Sequence, residues 1–570
     1  MGTISDKLMR IINTKEDIRQ ALISKGYDVP TSIPFKEYAK MILDLPCKVD
    51  SFPDIEGIVA RYSASGLTNE QMAANPVWVD KTGNGHDLQL KNFAWKGMSG
   101  VGGYVADIDE WGTNSTAAYF ERNSIKITAT FKENVSLGLL YHNIKLRQSC
   151  VLKVTGIPEG CDAFLDDRLG NRFYMSEDGV YEIIPSNFLA EALYFSIEKY
   201  PERWYGSKLT IEQLPLYPGA LVFDGVDDYG TCDNFPILTK EKGYTVVALR
   251  QWLSFQDIGY PALVVNSTDR LAAFSFEDFE SKTKSTWNWG RSVELSDYKI
   301  PLLYTYQTST SYNSKTIYAG VTEEGSNILQ VCRSGIYCAN AAIWEIVILD
   351  HDATEEELTK IKDYFVKTYP WLFPDQAWTV VGKTNEDEDR ATIANITGNG
   401  NNLVLSNLGF IEGSGYNKEG EYAGYLVTDG VDDKITSSIF EMGNDWTVIG
   451  DWELINTGKK DNAGIVKFDS IVIYNYNSIL INIKNGRNNL IPDQNTVNAI
   501  CSDGRIYSKD WKESIYNEET ESTSKNFLTI GYSGNAYTKI AFKNLAIYPT
   551  VLSREDCIKA YNYLQTLKAK

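Results

Sequence analysis

The sequence predicts a mainly β chain: tandem antiparallel jelly-roll sandwiches, an inserted small β-sandwich and a short N-terminal helical segment. Three observations predict this class. First, blocks of sequence recur in the same order. Leu221-Val222-Phe223-Asp224-Gly225-Val226-Asp227-Asp228 returns as Leu426-Val427-Thr428-Asp429-Gly430-Val431-Asp432-Asp433, Thr82-Gly83-Asn84-Gly85 as Thr397-Gly398-Asn399-Gly400, and Tyr244-Thr245-Val246-Val247 as Trp446-Thr447-Val448-Ile449. Second, the stretches between are short alternating runs separated by glycine and asparagine turns. Third, each copy closes on an apolar strand followed by a single capped helix, which suits packed sheets better than a βαβ series.

Spacing inside the repeat marks the insertion. Gly83 and Gly225 lie 142 positions apart, Gly398 and Gly430 only 32, so the first copy carries 142 − 32 = 110 extra residues. That is about the size of one small domain, and a surface loop with neighbouring ends tolerates it. The predicted organisation is an N-terminal helical segment over residues 1–47 and a discontinuous first sandwich over 53–107 and 217–373. An inserted module spans 108–216, and a second sandwich spans 374–570.

Taken in order, Leu8, Ile11, Ile18 and Leu22 fall near helical spacing, Gly26 can end that helix, and Phe35, Tyr38 and Ile42 mark another after Pro34. Two such helices bury little alone, so they dock on a neighbouring domain or on another protein. Val59 to Ser63 begins the first sandwich, Trp78-Val79-Asp80 leads into the Thr82-Gly83-Asn84-Gly85 turn, and Leu88 and Leu90 alternate with polar residues. Ile125 to Ile127, Cys150 to Val154, Arg172 to Tyr174 and Leu209 to Ile211 give the insert its short strands. The first sandwich resumes at Ala220 and closes on Ile346-Val347-Ile348. Thr354 and Glu357 then form a capping box ahead of an apolar stripe at Leu358, Ile361 and Phe365. Pro370 and Pro374 bracket a short, stiff link. In the second copy Ser553 and Asp556 cap, and Asn526 to Leu564 matches Asn327 to Phe365 at a constant offset of 199.

Composition narrows the function classes. A net charge of −20 argues against a nucleic-acid partner. No run is apolar enough to span a membrane, so no membrane insertion is expected. The eight cysteines form no C-x-x-C pair and differ between the copies, which predicts buried free thiols; Cys332 and Cys338 alone are close enough in sequence to pair across a turn. The N-terminus shows no secretory signal. Met1-Gly2 begins like a myristoylation site, but Asp6 stands where Ser or Thr is needed.

Two groups carry candidate chemistry. Asp224, Asp227 and Asp228, with Asp429, Asp432 and Asp433, place three carboxylates around a glycine, a set that suits calcium. As a turn, the same aspartates accept backbone N–H groups. Recurrence in both copies favours the turn, and no cofactor is otherwise expected. Trp287-Asn288-Trp289 lies 31 positions before Tyr318, and Tyr474-Asn475-Tyr476 lies 33 before Tyr507. Residues two apart share a strand face, so each copy would present two flat rings, suited to the apolar face of a sugar or to filling the core. Acidic strings at Asp107 to Glu110 and Glu277 to Glu280 do not recur between copies and read as solvated faces. Only three histidines exist, too dispersed for a zinc motif. No enzyme is expected.

Resemblance adds to this. Lys7-Leu8, Asn13-Thr14-Lys15, Ala21-Leu22-Ile23, Lys25-Gly26 and Val29-Pro30, with Phe35, Tyr38 and Ile42, resemble the short leader of many tailed-phage structural proteins. The Leu-Val-Phe/Thr-Asp-Gly-Val-Asp-Asp blocks, with a closing strand before Thr354 or Ser553, resemble concanavalin A-like lectin/glucanase (laminin G-like) domains. Leu214-Pro215-Leu216-Tyr217-Pro218-Gly219-Ala220 is similar to the return from an insert in crAss-like phage relatives. The glucanases of this fold carry Glu-x-Asp-x-x-Glu, and no such string is present here. The resemblance implies a virion fibre or spike subunit, assembled in the host cytoplasm and displayed on the particle surface, for adhesion to host glycans. Its expected partners are other virion proteins through the N-terminal helices, and further copies of itself. The alternatives are a glycan-degrading depolymerase on the same fold and a ligand-free architectural protein.

Overall fold

The computed structural model describes residues 52–567, with breaks at or within 106, 114, 133–149, 184–191, 239–326, 399, 419–421, 456–496, 509–527 and 534–535. Residues 1–51, and with them both expected N-terminal helices, lie outside the described residues. The described chain is mainly β, in several antiparallel sheets with few helices.

Three cores form. The first draws on residues from both sides of the 108–216 segment: Tyr62, Trp78, Leu88 and Leu90 pack with Leu221, Phe223, Trp252, Ile343, Ile346 and Ile348. Its central strand, Asn340–Leu349, pairs with Thr245–Ser254 on one side and is shared on the other by Ile58–Ser63 and Leu221–Asp224. A six-stranded sheet faces it, running from Ser275–Phe276 through Leu329–Val331 and Tyr229–Cys232 to Leu88–Lys91 and Val77–Trp78. The alternation read from Leu88–Lys91 is realised, with the leucines buried and Gln89 and Lys91 exposed. Among the described strands one pair departs from antiparallel order: Leu302–Gln307 runs parallel to Thr316–Tyr318.

Residues 108–211 build a separate core from two five-stranded sheets, with Trp111, Leu152, Phe195, Trp204 and Ile211 inside. A third core, from Trp378 to Ile547, lies between two eight-stranded sheets. Its central strand Ile540–Tyr548 stands where Asn340–Leu349 stands in the first, at the same offset of 199. Thr447 pairs with Tyr548 as Thr245 pairs with Leu349, and the bulge at Leu249/Arg250 recurs at Asp451/Trp452. A bulge at the matching position in two separated strands is inherited geometry, since each one must be specified locally.

Three helices matter to the packing: α1 (Asn69–Ala74), α2 (Glu355–Thr368) and α3 (Arg554–Thr566). The expected capping box closes α2, with Thr354 Oγ1 accepting from Glu357 N–H and Glu357 accepting from Thr354 N–H at 2.8 Å. Ser553 caps α3 by accepting from Asp556 N–H at 3.1 Å. Thr245 and Thr447 act alike: each donates its hydroxyl to a carbonyl just before the helix (His351 or Thr550) and accepts an N–H two residues further on. Beneath α2, Arg61 Nε donates to Glu345 Oε1 at 2.6 Å, and Tyr364 and Tyr369 hydroxyls donate to Oε2. All seven described cysteines are buried and free, Cys332 and Cys338 among them.

Candidate functional site

Both copies build the aspartate turn on the same pattern. Leu221–Asp224 must reverse into Tyr229–Cys232 within four residues, and Gly225 makes this feasible at a φ of +76°, with Asn340 only 2.6 Å from any added Cβ. Asp224 Oδ1 accepts from the N–H of Val226 (2.7 Å), Asp227 (3.3 Å) and Asp228 (3.5 Å), while Asp228 Oδ2 accepts from Asp224 N–H (3.1 Å). In the second copy Asp429 Oδ1 accepts from Val431 and Asp432, and Asp433 Oδ2 accepts from Asp429 N–H at 2.7 Å. Asn92 and Asn407, both at a φ of +69°, donate across to the carbonyls of Asp227 and Asp432. These are local turns whose carboxylates replace missing backbone acceptors.

The metal reading meets mixed geometry. In each turn one oxygen from each carboxylate lies within 4.8 Å of the other two, a donor set hard enough for calcium. The remaining Oδ1 of Asp228 and of Asp433 is buried with no hydrogen-bond partner, so it is the atom a cation would take. Two of the other oxygens are spent on backbone N–H groups. Burial pushes the Asp228 carboxyl up to about 7, with Asp224 and Asp227 adding to the effect, while Ser99 and the Asp224 N–H pull the other way. Asp433 is raised as well, first by burial.

The aromatic segments fall in unlike surroundings. Trp287 and Asn288 lie in Ser285–Asn288, the middle strand of a separate three-stranded sheet, opposite Ser292 and Arg291; Trp289 lies outside the described residues. Tyr474 and Asn475 end Ile471–Asn475, within an eight-stranded sheet of the second sandwich, opposite Leu480 and Ile479; Tyr476 lies outside the described residues. The equivalence read from spacing is therefore not matched by the sheet that each segment joins. Of the acidic strings, Asp107 forms an ion pair with Lys96 at 2.6 Å, and Glu277 lies outside the described residues.

Sequence reasoning missed one cleft. The loop after Asp80 carries Asn84 and His86 toward Ile237, Leu238 and Asp350, lining a cleft of about 300 Å³. Asn84 is fixed there by donating to the carbonyls of Ile58 and Val59. Its parts come from separate segments spread between Gly57 and Asp350, and no motif joins them. Nearby, His351 contacts Asp350 (3.3 Å) and Glu357 (3.4 Å), so this face of the first sandwich is acidic and polar.

No protein-family model and no curated protein matches the chain. Among solved structures it is similar to Trypanosoma rangeli sialidase in complex with the inhibitor DANA, at 9% identity and TM-score 0.23, over 40% of this chain and 41% of that chain. Trypanosoma rangeli sialidase in complex with sialic acid is similar at 9% identity and TM-score 0.25, over 80% and 84%. Trypanosoma rangeli sialidase is similar at 8% identity and TM-score 0.26, over 79% and 83%. At such scores nothing about fold, site or chemistry follows.

Proposed function

We propose that this chain is a structural protein of a tailed-phage virion, a fibre or spike subunit whose concanavalin A-like sandwiches present a surface for host glycans. The observation that carries the reading is the recurrence of an aromatic-Asn-aromatic segment in both copies, Trp287-Asn288-Trp289 and Tyr474-Asn475-Tyr476, beside a leader that resembles phage attachment segments. Aromatic rings stack on sugar C–H faces while amides reach hydroxyls. Carrying the segments in two copies on one chain, and in several chains on one particle, multiplies weak contacts into avidity. Residues 1–47 supply attachment to other virion proteins in this reading. The charge of −20 keeps crowded subunits apart.

A glycan array with the full chain tests it. Binding that is lost in a variant combining Trp287→Ala and Trp289→Ala, with the fold intact, supports adhesion; an array without signal refutes it. Release of reducing ends from capsular polysaccharide would move the assignment to a depolymerase. Particles that still incorporate a chain lacking residues 1–47 would refute the attachment role.

A further inference from the structure

Two buried thiols meet where the closing helix of the second sandwich begins. Cys501 ends the strand Val497–Cys501, opposite Thr447, and Cys557 lies near the start of α3. Both are fully buried and neither is in a disulfide. They stand 557 − 501 = 56 positions apart, yet one knot of contacts joins them. Thr447 Oγ1 lies 3.7 Å from Cys501 Sγ and accepts from Leu552 N–H at 2.9 Å. The Leu552 carbonyl lies 4.0 Å from Cys557 Sγ and accepts from Arg505 Nη2 at 3.0 Å. Across this knot the two sulfurs are hydrogen-bond partners of each other.

The repeat supplies an internal control. Thr245 pairs with Gln307 as Thr447 pairs with Cys501, and Leu358 stands 199 positions before Cys557. The threonine bonds are made in both copies, so closing a sandwich does not require the thiols. The two thiols also differ in character. Cys501 is held below its usual range, first by the bond from Cys557, with Thr447 and the Arg505 guanidinium adding to it and burial opposing. The same bond pushes Cys557 up, and burial adds to it. Because the thiolate is the nucleophile, one sulfur is prepared to react first and the other to follow. Arg505, with its side chain 24% exposed, brings the edge of the knot to the surface.

We infer that Cys501 and Cys557 are an oxidation site, closed by peroxide into a disulfide that staples α3 to the sheet beneath it. Cys501 gives up its proton and its sulfur attacks one peroxide oxygen. The O–O bond breaks, hydroxide leaves and takes that proton as water, and Cys501 becomes a sulfenic acid. The Cys557 sulfur then attacks the Cys501 sulfur. The S–S bond forms, the S–O bond breaks, and hydroxide leaves with the Cys557 proton as a second water. The sulfurs lose two electrons and the peroxide gains them. Peroxide is little larger than water, so it needs a far smaller opening than an aromatic reagent does. The staple is independent of what the sandwiches bind.

The test is peroxide treatment of the full folded chain, alkylation of the remaining thiols, and peptide mass spectrometry without reduction. The expected product is a linked peptide joining Cys501 to Cys557, released by dithiothreitol. Hydrogen exchange in Arg554–Thr566 should slow at least about tenfold on oxidation and recover on reduction. In Cys557→Ala the chemistry should stop one step earlier, at a Cys501 sulfenic acid that dimedone traps. In Cys501→Ala, Cys557 should stay a thiol. The parent chain alone decides the question should either variant fail to fold. Absence of the Cys501–Cys557 link, or links from either to another cysteine, overturns the inference. A link that leaves exchange in α3 unchanged overturns the staple.

Discussion

Replacing Arg61 with alanine tests how the first sandwich is held under its closing helix. Arg61 Nε lies 2.6 Å from Glu345 Oε1, both side chains are buried, and the other carboxylate oxygen receives the hydroxyls of Tyr364 at 3.2 Å and Tyr369 at 2.9 Å. Burial pushes the Glu345 carboxyl up, and Arg61 is what holds it down. Removing the arginine leaves a buried charge with only neutral donors, a loss of about 3–5 kcal/mol. The second copy shows the escape, with Ala377 and Asn544 at the matching positions. Arg61→Ala combined with Glu345→Asn should therefore recover most of the loss. The pH dependence follows from the sign of the shift. A carboxyl raised in the folded state contributes stability that is present below its unfolded value and lost as pH rises through the folded one. The Arg61→Ala penalty should thus be small near about pH 4 and full at neutrality. Because several cores share the chain, a single melting point is not the right readout. Hydrogen exchange followed by mass spectrometry on peptides covering Ile58–Ser63 and Asn340–Leu349 reads the affected sheet directly. A single variant losing under about 1 kcal/mol at neutral pH, or a double variant weaker than the single, would refute the account.

Four further outcomes are expected. Asp228→Asn keeps the acceptor for Asp224 N–H and removes a carboxyl held up at about 7 against an ordinary 3.8, a difference on the order of 4 kcal/mol. The parent should lose stability as pH climbs through about 7 and the variant should not, which pH-dependent denaturation checks. Millimolar calcium should leave that denaturation unchanged; a calcium-dependent gain abolished by Asp228→Asn and Asp433→Asn together would establish a metal site instead. Gly156→Ala, at a φ of +91°, sets a Cβ 1.7 Å from the Lys208 carbonyl oxygen, and should unfold the inserted module at a cost of about 3 kcal/mol or more while exchange in the second sandwich stays protected. None of the seven described cysteines should react with an aromatic disulfide reagent until the chain is denatured, as thiol titration shows.

What the sequence made legible was local. The Thr354 capping box, the Leu88–Lys91 alternation and the Asp-Gly turns each depend on residues within about one turn of each other, so their chemistry is written contiguously. α1 was also written, in Thr68-Asn69-Glu70-Gln71, where Thr68 caps by accepting from Gln71 N–H at 3.3 Å, but six residues show too little periodicity to stand out. The parallel pairing of Thr316–Tyr318 and the Arg61–Glu345 pair were not legible. The first depends on which strand reaches a sheet edge, and the second joins residues 284 apart. Spacing also misled in one place: matched intervals suggested equivalent strands for Trp287 and Tyr474, yet the chain between the copies differs enough to place them in different sheets.

Duplication gives a way to separate scaffold from function without comparing other proteins. Asp224 and Asp429, Asn92 and Asn407, and Thr245 and Thr447 make the same bonds twice, which is what turning and closing a sandwich requires wherever it occurs. A buried position that changes character between copies has no such excuse. Glu345 to Asn544 exchanges an ion pair for an amide that reaches Gln565, and in the same patch Trp344 and Val366 give way to Lys543 and Gln565. Lys543 and Gln565 are half-buried and reach Asp451 at 3.4 Å and 3.3 Å, so the exchange trades ring packing for a polar network. Replacing Lys543 and Gln565 by apolar residues (Lys543→Met, Gln565→Val) takes from the buried Asp451 its ammonium and an amide donor, and should loosen the second sandwich, read as faster hydrogen exchange in Ile540–Tyr548 with the first sandwich unchanged.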